Sequence, residues 1–381
     1  MQRFVVGSYT EPYGPFRAIG DGISLVCLHP TGKLATLAHL ALPNPAYLRP
    51  LSADRIAVAI ETDDERASIA LVRVEADALE LEDRIAAPGR IPCHVDLHSS
   101  GRWLAGACYG TGEVFALPLM GGRLQPDRMV STRHAGSSVH PVRQTGPHPH
   151  AARFSPDGAW LIVPDLGADT VSICPFDEMA GPDFSGPRLW QAPAGSGPRL
   201  PLFSLDGRHV VLVEEIASRL VSLRWNDGKL NECQRISSLI GPFSGENTAA
   251  GLRWHPSGRL IGVSNRGADA ISLFAFDPET GRLTPWRQIP SGGVKPRDFE
   301  FSSCGTWLIT TNQNGDRLAV YSIEQNEIRD TGERLTVRSP SCIRQMPGSD
   351  SWSARRSATL GSGERVNQFD GFIQKPEETR F

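Results

Sequence analysis

The sequence has no strong excess of charge of either sign. Its 381 residues include 39 Lys and Arg against 42 Asp and Glu, which is a formal charge of −3. A protein that binds nucleic acid or an acidic membrane through phosphates usually carries a basic face. This balance gives no sign of one, so we expect neither nucleic acid nor membrane as a partner.

Segments that target or anchor a chain are also lacking. The start, MQRFVVGSYT, has no apolar core and no small-residue cleavage site of the kind found in secretory signals. No apolar run approaches the length that spans a bilayer. The seven cysteines are scattered and include no C-x-x-C pair. These absences predict a cytoplasmic protein with free thiols.

Glycine and proline, in contrast, are plentiful. The chain has 38 Gly and 30 Pro, a composition that favours many short strands joined by tight turns. Length alone would allow two or three domains. A large β-propeller can use the same length as a single unit.

A repeat of roughly 50 residues runs along the chain. Five turn-like glycines mark it at successive spacings of 57, 49, 51 and 47 residues: Gly101, Gly158, Gly207, Gly258 and Gly305. Nine positions before them stand Pro92, Pro149, Pro198, Ala249 and Pro296, and the same offset from Asp54 leads to Pro45. A constant offset in six copies is not expected by chance.

Each copy alternates apolar and polar residues as strands do. The segments PCHVDLH and PRDFEFS are typical of a first strand, RWLAGAC and TWLITTN of a second, and VSICPF, ISLFAF and LAVYSI of a third. A more variable fourth strand follows. Four antiparallel strands in a repeat of this length indicate a propeller blade.

Both ends of the chain are needed to complete the count of blades. Seven first strands and seven loops after second strands can be found, but the first loop precedes any first strand. The last first strand, PSCIRQM, has no second strand after it. We therefore predict an all-β, seven-bladed propeller over residues 1–346, closed by pairing of the N-terminal strands with the strand around Cys342. Residues 347–381 are polar and lie outside the repeat, so we expect a disordered tail.

The first strands of propeller blades line the central channel, so the residue after each proline is expected at one mouth of that channel. These residues are Ala46, Cys93, His150, Arg199, Ala250, Arg297 and Ser341. Loops after the second strands are expected at the same mouth. They bring the pairs Cys108/Tyr109, Asp165/Leu166, Glu214/Glu215, Asn265/Arg266 and Asn312/Gln313, with Ser8/Tyr9 as the N-terminal counterpart.

The predicted mouth is rich in arginine. Arg199, Arg266 and Arg297 would meet there with Glu215 and His150. Arginine binds carboxylates and phosphates through paired hydrogen bonds, so this group favours a pocket for an anionic substrate. The alternatives are ordinary ion pairs between blades and a buried structural histidine.

The connection STRHAGSSVHPVRQTGPHPH, residues 131–150, is unusually long. Long connections in compact folds are often functional. This one would bring His134, His140, Arg143 and Gln144 towards the mouth. The alternative is a plain surface insertion.

Metal and serine-nucleophile chemistry are not expected. One histidine and one or two carboxylates are predicted at the mouth, and the arginines there would oppose a bound cation. The sequence contains no G-x-S-x-G elbow. We predict a site without metal or cofactor.

Several segments resemble the seven-bladed propeller lactonases, a family that includes 6-phosphogluconolactonases and carboxymuconate cyclases. They are GSYT, NPAYL, CYGTGEV, GSSVHPVRQTGPHPHA, VPDLGAD, SGPRLPLF, SNRGADAISLF and KPRDFEF. The resemblance implies four catalytic residues, which the register selects as well: His150 in HPH, Arg199 in GPR, Glu215 on the next loop and Arg266 in SNRG. We also predict substrate contacts from Arg297, Gln144, Arg143, His134 and Asn265. Leu200, Glu214 and Cys108 depart from the usual His, Asn and Asn of the family.

The resemblance implies lactone chemistry without a metal. The reaction it favours is hydrolysis of 6-phosphoglucono-1,5-lactone to 6-phosphogluconate, a step of the pentose phosphate pathway. An arginine would polarise the carbonyl, and either His150 or Glu215 would be the base. A carboxymuconate cycloisomerase, another sugar lactonase and a non-catalytic binding platform are the alternatives. A closed ring needs no oligomeric partner for its stability.

Overall fold

Seven antiparallel sheets form the protein in a computed structural model that describes residues 1–12, 18–324 and 327–348. We number these blades 1 to 7 from Pro45 and name their strands from the channel outwards. Blade 1 contains Pro45–Ser52, Arg55–Ile60, Ser68–Val74 and Leu79–Ala86. Blade 2 contains Pro92–Leu97, Trp103–Cys108, Glu113–Met120, Arg123–Leu124 and Val130–Arg133, with a short 3₁₀ helix at Pro126–Arg128. Blade 3 contains Arg153–Phe154, Trp160–Asp165, Thr170–Asp177, Gly181–Pro182 and Arg188–Gln191.

The other four blades each have four strands. Blade 4 contains Pro198–Phe203, His209–Glu214, Arg219–Asn226 and Lys229–Ser237. Blade 5 contains Ala249–Trp254, Leu260–Asn265, Ala270–Phe276 and Leu283–Pro290. Blade 6 contains Pro296–Phe301, Trp307–Asn312, Arg317–Glu324 and Glu327–Thr336. Blade 7 contains Pro340–Gln345, Gln2–Ser8, Ile23–Leu28 and Leu34–Leu40.

Both ends of the chain build blade 7, as predicted. The second strand, from the N-terminus, pairs antiparallel with the first strand, and Gly7 lies opposite Cys342. The first strands of neighbouring blades contact one another at six of the seven interfaces, and between blades 3 and 4 the second strand of blade 3 contacts the first strand of blade 4. The predicted closure is therefore confirmed. The tail prediction lies outside the described residues from position 349 onwards.

Apolar side chains fill the space between the blades. Each of seven buried clusters combines residues of two neighbouring blades; in one, Ile271 of blade 5 packs with Phe299 of blade 6. Fully burying one such side chain contributes about 1.5–3 kcal/mol. The ring is held together by these interfaces, which leaves the polar channel residues available for other roles.

The turn glycines also connect neighbouring blades. Gly158 has φ +76°, and its carbonyl oxygen lies 3.0 Å from Nε2 of His98 in the preceding blade. A Cβ at Gly158 would lie 2.4 Å from that same nitrogen. His255 and Gly305 repeat the contact at 3.0 Å. Glycine is needed here because both the left-handed backbone and the close approach exclude a side chain.

A β-bulge follows the first residue of the first strand in six of the seven blades. The ladder between first and second strands skips one position between Pro92 and His94, and again between Pro198 and Leu200. Blades 1, 5, 6 and 7 have a shift in the same place. Bulges re-aim a side chain, and the bulge residues Ala46, Cys93, Arg199, Arg297 and Ser341 line a cavity on the channel axis.

The residue after each second strand has the same backbone anchor in all seven blades. Its N–H donates to the carbonyl of the residue before the first strand of the same blade, which in blade 3 is the residue before Pro149, at distances from 2.7 to 3.1 Å. The anchored residues are Tyr9, Glu61, Tyr109, Leu166, Glu215, Arg266 and Gln313. They form a ring at the same end of the channel as the bulge residues. No helix in the described part of the chain is long and apolar enough to cross a bilayer.

Candidate functional site

Glu215 is the centre of a buried cluster of charges. Its side chain is 1% exposed and contacts three guanidinium groups. Arg143 Nη2 lies 2.7 Å and Arg266 Nη2 2.9 Å from Oε1. Arg199 Nε lies 2.7 Å from Oε2, an ion pair whose angle does not make a hydrogen bond. With His150, these residues form what we call the mouth cluster.

Backbone carbonyls of blade 5 fix two of these arginines. Arg199, the bulge residue of blade 4, donates from Nη1 to the Ala250 oxygen at 2.8 Å. Arg266, which follows the second strand of blade 5, donates from Nη2 to the Ala249 oxygen at 3.4 Å. Both side chains are less than a tenth exposed. The first two residues of the first strand of blade 5 therefore fix the positions of both guanidinium groups.

Arg143 comes from the long connection instead. Its Nε donates to the Tyr109 hydroxyl oxygen at 2.9 Å. The buried Gln144 holds the connection, since its Nε2 donates to the Leu166 oxygen at 2.9 Å and its Oε1 accepts the His140 N–H at 3.0 Å. His134 Nδ1, 2.9 Å from an Asp165 carboxylate oxygen, adds a second anchor. This connection therefore carries a third arginine to Glu215.

The arginines keep Glu215 ionised. Burial acts to raise the pKa of Glu215, but Arg266, Arg143 and Arg199 together hold that pKa well below its usual range. In turn, burial lowers the pKa of Arg266 to about 10, although Glu215 opposes this shift. Arg266 consequently stays charged at neutral pH.

His150 lies beside Glu215 and is nearly buried. Its Nε2 is 3.8 Å from Glu215 Oε2, which is too long for a direct hydrogen bond. Its Nδ1 is 3.7 Å from the Cys93 sulfur. Burial and then Arg199 hold the pKa of His150 well below its usual range, although Glu215 acts in the opposite direction. His150 is therefore neutral at pH 7 and able to accept a proton.

Arg297 belongs to a neighbouring group that the sequence analysis missed. Its Nη2 lies 3.8 Å from Glu61 Oε1, and its guanidinium carbon lies 5.2 Å from the centre of the Tyr9 ring. The Tyr9 hydroxyl is 3.1 Å from both Glu61 oxygens. Glu61 follows a second strand as Glu215 does, so the count from the turn at Asp54 would have found it.

The structure places the remaining predicted residues in supporting positions. Asn265 is fully buried, and its amide contacts Ser238, Asn247 and Ser272 within blade 5 and its neighbour. Gln144 and His134 hold the long connection. Substrate contacts by these three residues stay predictions.

The three departures from the family pattern are buried. Leu200 packs in the core between blades 4 and 5. Burial raises the pKa of the Cys108 thiol to about 12. Burial likewise raises the pKa of Glu214, whose carboxylate is 3.4 Å from Arg235 Nη2. Among the described residues, none of the three side chains forms a hydrogen bond or ion pair with the mouth cluster, although Leu200 lines the small channel cavity with Arg199.

A second group of charges lies deeper in the channel. All but one of its members stand four residues after the proline, or after Ala249 in blade 5, that marks each repeat. It consists of Arg49, Asp96, Arg153, Arg253, Glu300 and Arg344, with Asp298, and we call it the inner cluster. Asp298 Oδ2 lies 2.7 Å from Arg253 and 2.5 Å from Arg344. A cavity of about 20 Å³ lies between the two clusters, which is room for about one water. This narrow space separates the mouth cluster from a pocket of about 460 Å³ that Arg49, Glu300 and Arg344 line on the other side.

The cysteines and the candidate metal ligands were also located. All seven cysteines lie in described segments and none forms a disulfide. In those segments, no three His, Cys, Asp or Glu side chains converge as metal ligands would. Independence from metal stays a prediction.

A comparison of the sequence with family patterns identifies the family. The pattern described as "Lactonase, 7-bladed beta-propeller" matches residues 3–345. The chain therefore belongs to the seven-bladed β-propeller lactonase family.

Individual relatives have similar lengths. A 6-phosphogluconolactonase of Bacillus subtilis is 25% identical over 347 residues, covering 89% of this chain and 97% of that protein. The structure of a periplasmic gluconolactonase of Pseudomonas aeruginosa is similar with a TM-score of 0.82 at 29% identity, covering 91% of this chain and 99% of that one. A protein of Lactobacillus plantarum gives a TM-score of 0.81 at 26% identity, with 90% and 99% covered.

Proposed function

We propose that this protein hydrolyses the lactone of a sugar acid and that 6-phosphoglucono-1,5-lactone is its preferred substrate. The product would be 6-phosphogluconate, so the enzyme would act in the pentose phosphate pathway, in the cytoplasm. The observation that carries the proposal is the buried His150 beside a carboxylate that three arginines surround. The lactonases to which the chain is similar include one named for the phosphorylated and one for the unphosphorylated substrate.

His150 is the general base in this proposal. Its Nε2 takes a proton from water while the water oxygen bonds to the lactone carbonyl carbon. The tetrahedral intermediate then expels the ring oxygen, which receives that proton from the imidazolium. The carbon–oxygen bond of the ring breaks and the open-chain acid is released. Each proton that His150 takes is returned, so the enzyme ends in its starting state.

Glu215 has an electrostatic role rather than that of a base. Its two oxygens already contact three guanidinium groups, which stabilise the ionised carboxylate and oppose its protonation. It instead stabilises the imidazolium, whose Nε2 is 3.8 Å away. It also holds Arg199 and Arg266 in place. One of these arginines receives the developing oxyanion, an interaction that typically contributes about 2.7–4 kcal/mol to transition-state stabilisation.

The arginines also account for an anionic substrate. Arg143, Arg199 and Arg266 share one carboxylate at the mouth. A phosphate would supply the negative charge that this group lacks, through charge-assisted hydrogen bonds. An anion near Arg199 and Arg297 would also weaken their effect on His150 and raise its pKa, which would make it a better base.

A lactone panel tests the proposal. Purified protein is assayed on 6-phosphoglucono-1,5-lactone, glucono-1,5-lactone and muconolactone, with spontaneous hydrolysis subtracted, and on carboxymuconate in the reverse direction. We expect the highest kcat/KM on the phosphorylated lactone, unchanged by EDTA. Fastest turnover of carboxymuconate would replace hydrolysis by cycloisomerisation. Inactivity on every compound would overturn the enzymatic proposal, and loss of activity in EDTA with recovery on adding a divalent cation would overturn its metal independence.

A further inference from the structure

Tyr109 contacts the mouth cluster but has no part in the mechanism above. It follows the second strand of blade 2, and its N–H donates to the Ile91 oxygen at 2.9 Å. Its hydroxyl oxygen accepts the Nε–H of Arg143 at 2.9 Å. Its ring edge approaches His150, with centroids 5.4 Å apart and planes at 70°. Tyr109 therefore lies between the proposed base and the arginine of the long connection.

His148 holds the tyrosine ring from one face. The two rings stack with centroids 4.4 Å apart and planes at 13°. His148 Nδ1 lies 2.7 Å from the Tyr109 carbonyl oxygen, which can only accept, so this nitrogen is the donor. The backbone N–H of His148 donates to the buried Asp165 carboxylate at 2.8 Å. The hydroxyl of Tyr109 consequently has a fixed position.

Two contacts orient the guanidinium group of Arg143. Nε and Nη2 lie on one edge of the plane, and this edge is occupied by Tyr109 at 2.9 Å and Glu215 at 2.7 Å. The other edge, formed by Nη1 and Nη2, retains N–H groups for a further acceptor. Arg143 is 33% exposed, whereas the side chains of Arg199 and Arg266 are 9% and 8% exposed. The remaining edge of Arg143 is therefore the one that solvent can reach.

The Tyr109 hydroxyl has a hydrogen of its own to donate. Burial raises the pKa of Tyr109, so the phenol stays protonated at neutral pH. Its oxygen accepts from Arg143, and in the described segments the hydroxyl donates no hydrogen bond. It lies at the edge of the guanidinium group that also contacts Glu215, so the other edge of Arg143 is left for a substrate. That edge offers two N–H donors, which match two acceptor oxygens of a phosphate.

We propose that Tyr109 is a positioning residue which orients Arg143 and that Arg143 binds the phosphate of the substrate. This rests on the proposed function, because it assigns a subsite within the same mouth. Arg199 and Arg266 would then act at the lactone carbonyl, and Arg143 at the far end of the substrate. The preference for phosphorylated over unphosphorylated lactones would then depend on the Tyr109 hydroxyl, because this hydroxyl holds Arg143 in position.

The substitution Tyr109→Phe tests this because it removes one oxygen and keeps the ring against His148. We expect the ratio of kcat/KM for 6-phosphoglucono-1,5-lactone to that for glucono-1,5-lactone to fall about tenfold, the range of a hydrogen bond to a charged group. The dissociation constant of inorganic phosphate, measured by calorimetry, should rise by a similar factor. Tyr321→Phe is the matched control, since its hydroxyl donates at 2.6 Å to the Pro290 oxygen in blades 5 and 6; it should leave the ratio unchanged.

A double-mutant cycle shows whether Tyr109 acts through Arg143. Arg143→Lys keeps the charge but cannot contact Tyr109 and Glu215 with one planar group. In that background, Tyr109→Phe should have no further effect on the ratio. An equal loss on both lactones with unchanged phosphate affinity would overturn the inference, as would full additivity. If the wild-type protein hydrolyses neither lactone but Tyr109→Phe still weakens phosphate binding, the proposed reaction fails and the phosphate subsite stands.

Discussion

The mouth cluster and the inner cluster contain the same kinds of side chain in different proportions. Around Glu215, three arginines share a single carboxylate. In the inner cluster, four arginines face three carboxylates. Both groups are largely buried in the same channel. We therefore choose the candidate binding site by its uneven balance of charge rather than by the presence of buried arginine.

The physical basis is the cost of removing charge from water. A buried arginine is stable only if its lost hydration is replaced by carboxylates and hydrogen bonds. Asp298 supplies this to Arg253 and Arg344 together, and these arginines bring its pKa below the usual value against the effect of burial. At the mouth, the arginines depend on Glu215 and on two backbone carbonyls. An anionic substrate would complete that balance.

The largest expected effect separates His150 of the mouth cluster from His94, a buried histidine of blade 2 that belongs to neither cluster. His150→Ala should lower kcat by about 10²–10⁴-fold, because it removes the proposed base. His94→Gln is the matched control: His94 is equally buried, packs with its ring centroid 4.4 Å from that of Tyr47, and has a pKa held far below normal by burial. It should keep kcat within a few-fold. Steady-state kinetics on the preferred lactone measure both, and equal effects would remove the distinction.

The inner cluster should control stability. Asp298→Asn leaves two buried arginines without their shared carboxylate, so the free energy of unfolding should fall by about 3–5 kcal/mol. Urea unfolding followed by tryptophan fluorescence measures this change. The fraction that stays folded should keep its kcat. A loss of kcat without a loss of stability would place this cluster in the site instead.

Arginine substitutions compare the clusters directly. Arg199→Ala should raise the activation free energy by about 2–4 kcal/mol, measured from kcat/KM, since it removes a candidate oxyanion donor. Arg49→Ala removes an arginine whose Nε is 3.2 Å from Asp96 in the inner cluster, and kcat/KM should change little. If both variants lose activity alike, the two clusters do not have separate roles.

The smallest effect is a dependence of stability on pH. His150 and His94 both have pKa values well below normal in the folded protein, chiefly through burial. The unfolded chain, with a histidine pKa of about 6.5, binds protons that the folded state does not. Stability should therefore fall as the pH drops below about 6.5, by up to about 1.4 kcal/mol per pH unit for each histidine. Urea unfolding between pH 5 and 8 tests this, and His94→Gln or His150→Gln should each reduce the slope; an unchanged slope would contradict the burial argument.

Much of the architecture follows from the period of the sequence. The constant offset between turn glycine and proline predicts the first strands, and the unpaired strand at PSCIRQM predicts closure by the N-terminus. The same offset places Arg199 and Glu215 at one mouth. The same repeat predicts two further features. Counting from the turn at Asp54 leads to Glu61, and charged residues from Arg49 to Arg344 recur four residues after the position of the repeat proline.

Only the tertiary structure decides which of these charges meet. A register places residues on a ring but does not say which way a side chain points, and in six blades the bulge after the first residue of the first strand determines that direction. Asn265 stands directly before Arg266, yet its amide is used within the blades. Arg143 lies in a connection outside the repeat, where no period constrains it. Its contacts with Tyr109 and Glu215 depend on how Gln144 and His134 anchor that connection, because contacts between residues far apart in the chain depend on packing rather than on spacing.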